Sequence, residues 1–259
     1  METVTLLNGD FDAVSLDETV SSIVDFIKAG ERGYLCTVNV AILMMMRENP
    51  RLQSFVDKAA FVVADGQPII WASRLMKNPL PERVTGVDLV EELAERAATE
   101  KLPIYLLGAT KDVVAEVAER LTRRYPGLEI AGTADGYFGA DEAPARAEAV
   151  AASGAKILFV GMGVPRQEVF LEEQWERLGV SLAIPVGGSF EVLAGRKTRA
   201  PEFVQKVGME WAFRFAQEPK RLGKRYLVTN TQFILRLSKA LALGSRRSPA
   251  RRAWSEHVG

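Results

Sequence analysis

Short apolar runs recur along the chain, and segments with helical spacing separate them. Leu89, Leu93 and Ala97 repeat at the spacing of one helix face, and a second series follows Thr110, a residue type that caps helices. Pro165 stands where a helix can begin. The apolar runs predict strands that are buried on both faces, and they cover residues 4–7, 34–38, 60–64, 104–107, 128–131, 157–160 and 182–186. We therefore predict an α/β fold, with a Rossmann-like, mostly parallel sheet and flanking helices.

Charge is unevenly distributed over this pattern. From Arg196 to the C-terminus the chain has 15 Lys and Arg against four Asp and Glu, whereas the preceding residues have 18 against 29. We predict an α/β domain over residues 1–200, a basic helical C-terminal appendage over 201–243 and a disordered basic tail over 244–259. Aromatic residues such as Trp211 and Phe215 stand among the cations, which suits a lipid interface, although an amphipathic helix packed on the body explains the same pattern.

The composition favours a cytoplasmic protein. Cys36 is the only cysteine, and a lone thiol cannot close an internal disulfide. The N-terminus lacks the pattern of a signal peptide, and no apolar run approaches the roughly 18 residues that span a bilayer. We expect a soluble or peripheral protein.

Glycines follow most of the predicted strands. Ligands bind beyond the carboxyl ends of parallel strands, where Gly108, Gly161, Gly163 and Gly187 let the backbone approach a ligand closely. Arg166 adds a positive charge at the start of the next helix, so this turn suits a diphosphate. A dinucleotide fingerprint requires a third glycine where Arg166 stands, and a purely structural turn also fits.

Polar side chains end two other predicted strands. Asp65 follows a strongly apolar run, and it is a candidate general base or simply a helix N-cap. Thr37 and Asn39 offer a hydroxyl and an amide to a ligand, or they serve the turn. Arg83 is a candidate for neutralising a leaving diphosphate, unless it only pairs with Glu82 at the surface.

Several chemistries find no support in the sequence. The only histidine is His257, so a Ser-His or Cys-His nucleophile pair is excluded and a zinc site is not expected. The chain has no phosphate loop of NTPases and no Asp-x-Asp pair for a divalent metal. We expect neither a metal nor a cofactor, and arginines and helix dipoles would have to neutralise a leaving group.

The motifs, taken in order from residue 5 to 240, resemble the WecG/TagA/CpsF family of glycosyltransferases. The matching pieces are Thr37-Val38-Asn39, Ala64-Asp65-Gly66-Gln67-Pro68, Glu82-Arg83-Val84-Thr85-Gly86-Val87-Asp88, Leu106-Leu107-Gly108-Ala109, Asp135-Gly136-Tyr137-Phe138, Gly161-Met162-Gly163-Val164-Pro165-Arg166-Gln167-Glu168, Val186-Gly187-Gly188-Ser189-Phe190 and Glu210-Trp211.

The resemblance implies an inverting transfer, without metal, of a hexose from a UDP-sugar to an undecaprenyl-diphosphate-linked saccharide. The hexose in such relatives is N-acetylmannosamine, its uronic acid or glucose. Asp65 matches the proposed base, Thr37 an active-site hydroxyl and Gln167 a donor-pocket residue. A location on the inner face of the cytoplasmic membrane, against its anionic surface, is also implied, and a homo-oligomer is compatible with the resemblance.

Further site residues follow from the same resemblance. The arginines that resemble the group contacting the lipid diphosphate are Arg214, Arg221 and Arg225. We expect Tyr137 or Glu191 to contact the nucleoside, although many relatives carry aspartate where this chain has Glu191. Two alternatives stay open. One is a nucleotide-dependent oxidoreductase on a Rossmann-like sheet, and the other is a module that binds membrane or nucleic acid through its basic end. If the protein is a glycosyltransferase, we do not expect nucleic acid as a partner.

Overall fold

The computed structural model describes residues 2–206 and 208–243, with the backbone alone for some residues of the C-terminal helices. The strands are β1 (Thr3–Leu6), β2 (Gly9–Asp12), β3 (Gly33–Val38), β4 (Phe61–Ala64), β5 (Ile104–Gly108), β6 (Ile130–Ala134), β7 (Ile157–Gly161) and β8 (Leu182–Pro185). The helices are α1 (Leu16–Lys28), α2 (Val40–Glu48), α3 (Pro50–Asp57), α4 (Gln67–Leu75), α5 (Gly86–Glu100), α6 (Lys111–Arg124), α7 (Ala143–Ala152), α8 (Arg166–Leu178), α9 (Ser189–Leu193), α10 (Glu202–Lys206), α11 (Glu210–Gln217) and α12 (Pro219–Ala242).

The chain forms two compact units, each built from separate stretches of sequence. The first unit comprises Met1–Ser15, Val38–Val84 and the segment from Arg199 onward, and the second comprises Leu16–Thr37 and Thr85–Thr198. The appendage over residues 201–243 remains a prediction as a functional division, and the tail over 244–259 lies outside the described residues.

A parallel sheet forms the centre of the second unit. Its strands lie side by side in the order β3-β8-β7-β5-β6. Every residue of β5, β7 and β8 is buried, whereas β6 at the edge is mostly half-buried. Burial on both faces explains why these strands are continuous apolar runs in the sequence, and the α/β prediction is confirmed.

The helices of this unit begin and pack as their sequence patterns predict. Leu89, Leu93 and Ala97 are buried along α5, and Thr110 and Pro165 are the N-cap residues of α6 and α8. The α5 N-cap is Thr85, whose Oγ1 accepts a hydrogen bond of 3.2 Å from the backbone N–H of Asp88. Capping and apolar spacing therefore fix α5, whereas no side chain caps α6 or α8.

The order of the strands creates a crevice at the carboxyl edge of the sheet. The chain passes from β5 to β6 on one side and returns to β7 on the other, so its direction of winding reverses between β5 and β7. Gly108 and Gly161 end these two strands and are paired in register. Ligands of open α/β sheets bind at such a reversal point.

The first unit begins with a hairpin, which corrects one prediction. The run over residues 4–7 was expected to enter the parallel sheet, but β1 pairs with β2 in a separate antiparallel pair. The turn falls on Leu7 and Asn8, with Leu7 in the left-handed region at φ 57°. A two-residue turn makes this antiparallel return shorter than any crossover to a parallel strand.

The hairpin contacts two other elements of this unit, because β2 lies against β4 and β1 against α4. Phe11 of β2 is fully buried, and the Asp12 Oδ2 atom accepts a 2.8 Å hydrogen bond from the backbone N–H of Val62 in β4. The long helix α12 packs on α2. Within the described residues, no helix combines the length and apolarity needed to cross a membrane.

Candidate active site

Glycines from four strand ends of the second unit form what we call the glycine crevice, comprising Gly108, Gly136, Gly161, Gly163 and Gly187. A methyl group on Gly108, at φ 149°, would lie 2.5 Å from the carbonyl oxygen of Gly161, and one on Gly136 would lie 2.9 Å from the Gly108 Cα. The strand ends therefore touch backbone to backbone. Gly163 and Gly187 instead face open space, because a methyl group on either would have no other atom within 4 Å, so a ligand can approach their backbone.

Gln167 braces the two open loops of the glycine crevice. Its Oε1 atom accepts hydrogen bonds from the backbone N–H groups of Gly163, at 3.1 Å, and of Gly187, at 3.0 Å. The Gln167 side chain is buried. Because these two N–H groups are already bonded, they cannot be the donors that hold a phosphate. The position of Gln167 suits a residue that shapes a binding loop, and its predicted contact with the donor stays a prediction.

Glu168 is a buried carboxyl group behind this brace, and the sequence analysis did not single it out. Its Oε1 accepts a 2.8 Å hydrogen bond from the Gln167 Nε2, while its buried Oε2 has no partner. Burial raises the pKa of Glu168 to about 7, against the smaller lowering effect of its hydrogen bonds. The Gln-Glu pair in the motif was the only sequence signal, since burial of a carboxyl group depends on the packing of α8.

The other predicted residues of this unit lie on the carboxyl side of the sheet. Arg166 donates a 2.9 Å hydrogen bond from Nη2 to the Gly136 carbonyl, which leaves the other donors of its guanidinium for a ligand. Tyr137 is 68% exposed, and Glu191 is half-buried in the short helix α9. Thr37 is buried near the end of β3. Their predicted contacts stay predictions.

A second candidate location is the polar pocket of the first unit, with a volume of about 130 Å³. Two backbone hydrogen bonds hold the chain segments that carry the predicted residues of this pocket close together. The Asp65 N–H donates to the Val38 carbonyl at 2.9 Å, and the Val84 N–H donates to the Ala64 carbonyl at 2.8 Å. The pocket is lined by Asn39, Val40, Ala41, Asp65, Gly66, Gln67, Pro68, Arg83, Gly208, Glu210, Trp211, Tyr226 and Asn230.

Asp65 is half-buried in this pocket and does not cap the following helix. The N-cap of α4 is Gly66, at φ 151°, and no side chain caps that helix. The N-cap interpretation of Asp65 is therefore wrong. A half-buried carboxylate that lines a pocket is suitably placed to take a proton from a bound hydroxyl group.

Asn39 serves both the helix and the pocket. Its Oδ1 caps α2 by accepting a 3.1 Å hydrogen bond from the Ile42 N–H. Within the described part of the chain its Nδ2 has no such partner, so this donor remains for a ligand. The capping interpretation and a binding role are compatible.

Arg83 forms an ion pair across the pocket, but its partner is not the adjacent Glu82. It binds Glu210 at the start of α11, and its Nη2 donates a 3.1 Å hydrogen bond to the Gln205 Oε1. The side chains are only 15% and 9% exposed for Arg83 and Glu210. A guanidinium with five donors can keep this pair and still contact a ligand, yet much of its charge is already balanced.

The C-terminal helices contribute pocket residues that the sequence analysis did not predict. Trp211 was grouped with the aromatics of a lipid interface, and it lines the polar pocket together with Tyr226 and Asn230. Flat aromatic side chains with a polar edge suit the apolar faces and hydroxyl rim of a sugar. Trp211 follows Asp65 by more than 140 residues, so no local sequence pattern predicts that the two residues line one pocket. The side chains of Arg214, Arg221 and Arg225 lie outside the described residues.

Comparisons with a family model and with a curated relative agree with each other. The model of the family described as "Glycosyl transferase WecG/TagA/CpsF family" matches residues 4–247. A Bacillus spizizenii protein is 33% identical over 222 residues, which cover 85% of this chain and 86% of that protein. The Bacillus protein is described as an N-acetylglucosaminyldiphosphoundecaprenol N-acetyl-beta-D-mannosaminyltransferase. The family match includes every residue of the polar pocket and of the glycine crevice.

Proposed function

Because this chain belongs to the WecG/TagA/CpsF family of glycosyltransferases, we propose that it transfers N-acetylmannosamine from a UDP-sugar to N-acetylglucosaminyl-diphosphoundecaprenol. The sugar and the acceptor rest on the description of the Bacillus relative. The UDP moiety of the donor and the location on the inner face of the cytoplasmic membrane rest on the family resemblance. The oxidoreductase alternative is not retained, since the glycosyltransferase family covers nearly the whole chain.

The observation that carries the mechanism is the carboxylate of Asp65, which lines the polar pocket without capping a helix. In the proposed reaction, Asp65 takes the proton of the acceptor hydroxyl, and the acceptor oxygen attacks the anomeric carbon of the donor. The bond between that carbon and the diphosphate oxygen breaks, and UDP leaves with the electron pair. A single displacement of this kind inverts the anomeric configuration.

The remaining groups supply binding and charge in this proposal. Arg166 offers free guanidinium donors beside the glycine crevice and contacts the diphosphate of UDP. Arg83, held by Glu210 and Gln205, donates hydrogen bonds in the polar pocket. Arg214, Arg221 and Arg225 are proposed to contact the lipid diphosphate. In this proposal Arg166 and Arg83 take the place of a metal ion in balancing the leaving group.

The substitution Asp65→Asn tests the general base. Release of UDP in the presence of a short-chain lipid acceptor is expected to fall about 10²–10⁴-fold, because the amide cannot accept the proton. Asp25→Asn, at an exposed carboxylate of α1, is the matched control and is expected to leave the rate unchanged. Turnover of Asp65→Asn at the wild-type rate would remove Asp65 from this role, and loss of wild-type activity in EDTA would remove the metal-free mechanism.

The transferred sugar is tested separately by mass spectrometry of the products formed from a panel of UDP-hexoses. N-Acetylmannosamine is expected to be incorporated in preference to its uronic acid and to glucose. A product carrying only one of the other two sugars would change the donor while leaving the reaction class intact.

A further inference from the structure

The first unit contains another cavity, of about 300 Å³, which we call the basic cavity. It is lined by Thr5, Leu7 and Asn8 of the hairpin, by Arg47 and Met76, and by Arg236, Lys239, Ala240 and Leu243 from the end of α12. It shares no lining residue with the polar pocket. Three of these nine residues are cationic and none is a carboxylate, so the cavity is suited to an anion and is separate from the proposed chemistry.

The three cations of the basic cavity have no ion-pair partner in the part of the chain that the structure describes. Within the described residues, the side chains of Arg47, Arg236 and Lys239 form no ion pair and no hydrogen bond. The nearest acidic neighbour in sequence, Glu48, accepts a 3.1 Å hydrogen bond from the Gln232 Nε2. Like charges that line one cavity repel each other, and an anion with several oxygen acceptors removes that repulsion.

Asn8 is held firmly in the wall of the basic cavity. Its Nδ2 is used twice, donating to the Leu43 carbonyl at 3.1 Å and to the Gln53 Oε1 at 3.0 Å. Its Oδ1 is buried and has no hydrogen-bond partner. These bonds fix the orientation of the amide, so the unpaired atom is an acceptor. Because this oxygen is out of contact with solvent, a ligand in the cavity does not reach it, and Asn8 serves as a fixed part of the cavity wall.

We propose that the basic cavity binds the phosphate group of a phosphate ester. The phosphate oxygens accept hydrogen bonds from Arg47, Arg236 and Lys239, which are exposed and therefore open to such a ligand. The same group occurs in a free molecule, glycerol 3-phosphate, and in the headgroup of phosphatidylglycerol. Leu241 and Leu243, which are 43% and 70% exposed, provide apolar surface at the same end of α12 for the acyl chains of the lipid form.

Calorimetric titration of the full-length protein with glycerol 3-phosphate tests the free form. The triple variant Arg47→Gln, Arg236→Gln, Lys239→Gln is expected to bind about tenfold more weakly, or worse, for each cation removed. Its matched control removes three exposed lysines elsewhere, through Lys58→Gln, Lys101→Gln and Lys111→Gln, and is expected to bind like the wild type.

Flotation with vesicles tests the lipid form. The vesicles contain phosphatidylcholine alone or an equal mixture with phosphatidylglycerol, and binding to the mixture is expected to fall in the cavity variant but not in its control. A difference between these two variants in either assay supports the site, and the assay in which it occurs identifies the source of the phosphate. Equal behaviour of the two variants in both assays overturns the proposal.

The same variants separate this proposal from the proposed function. Because none of the three cations lines the polar pocket, UDP release with a water-soluble acceptor analogue is expected to be unchanged in the cavity variant. A loss of that activity together with a loss of phosphate binding would point to general disruption of the first unit and would count against a separate site.

Discussion

At the scale of single residues, the buried carboxyl group of Glu168 makes stability depend on pH. Its pKa is about 7 in the folded protein, above its ordinary value of 4.5. The folded state therefore holds the proton more tightly than the unfolded state. The stability contributed by the protonated group is complete below pH 4.5 and is lost as the pH rises through 7.

The expected loss is about 3 kcal/mol over this range. Denaturant unfolding at a series of pH values measures it. Glu168→Gln keeps the shape of the side chain and has no proton to lose, so its profile is expected to be flatter. Glu176→Gln, at an exposed position on the same helix, is the control and is expected to keep the wild-type slope. An unchanged slope in Glu168→Gln would assign the pH dependence to another group.

At the scale of elements, the ion pair between Arg83 and Glu210 fastens α11 to the loop that follows α4. Glu210→Gln would leave the largely buried guanidinium of Arg83 without its counter-charge. We expect the free energy of unfolding to fall by about 3 kcal/mol, which denaturant titration measures.

An exposed ion pair provides the comparison for this prediction. Glu91→Gln breaks the pair with Arg124, whose side chain is 63% exposed, and is expected to cost less than about 1 kcal/mol. Similar losses in the two variants would show that the burial of the Arg83–Glu210 pair is unimportant. UDP release at a temperature where Glu210→Gln remains folded then reports how far the pair also orders the polar pocket.

At the scale of the whole molecule, the concentration of cations beyond residue 195 predicts attraction to an anionic membrane. A chain ending at Leu243 loses Arg246, Arg247, Arg251 and Arg252, and each cation near such a surface contributes about 1 kcal/mol. Co-sedimentation with vesicles is therefore expected to weaken on truncation. The difference should shrink in high salt, because the screening length falls from about 10 Å at 0.1 M to about 3 Å at 1 M.

A full-length chain with these four arginines changed to lysine is the matched control. It keeps the charge and is expected to bind like the wild type. Binding that survives truncation at every salt concentration would assign membrane attachment to the described part of the chain alone.

The sequence by itself determined the elements that depend on local patterns. Continuous apolar runs specify strands that are buried on both faces, and the spacing of Leu89, Leu93 and Ala97 specifies a helix. The order of the motifs was sufficient to predict the family, which the comparisons confirm. Asn39, Asp65 and Arg83 were also predicted as site residues and line one pocket. Asn39 and Asp65 follow the carboxyl ends of strands, where polar groups come together, and the loop that contains Arg83 is tied to the end of β4 by the hydrogen bond from the Val84 N–H to the Ala64 carbonyl.

Only the tertiary structure decided which partners these residues have. Arg83 pairs with Glu210 rather than Glu82, Gln167 bonds two glycine loops, and Glu168 loses contact with water. The physical reason is that hydrogen bonds, ion pairs and burial depend on distances in space, and local sequence fixes these only within a few residues. The hairpin is the exception, since its two-residue turn at Leu7 and Asn8 is local and pairs β1 with the adjacent β2 instead of the parallel sheet.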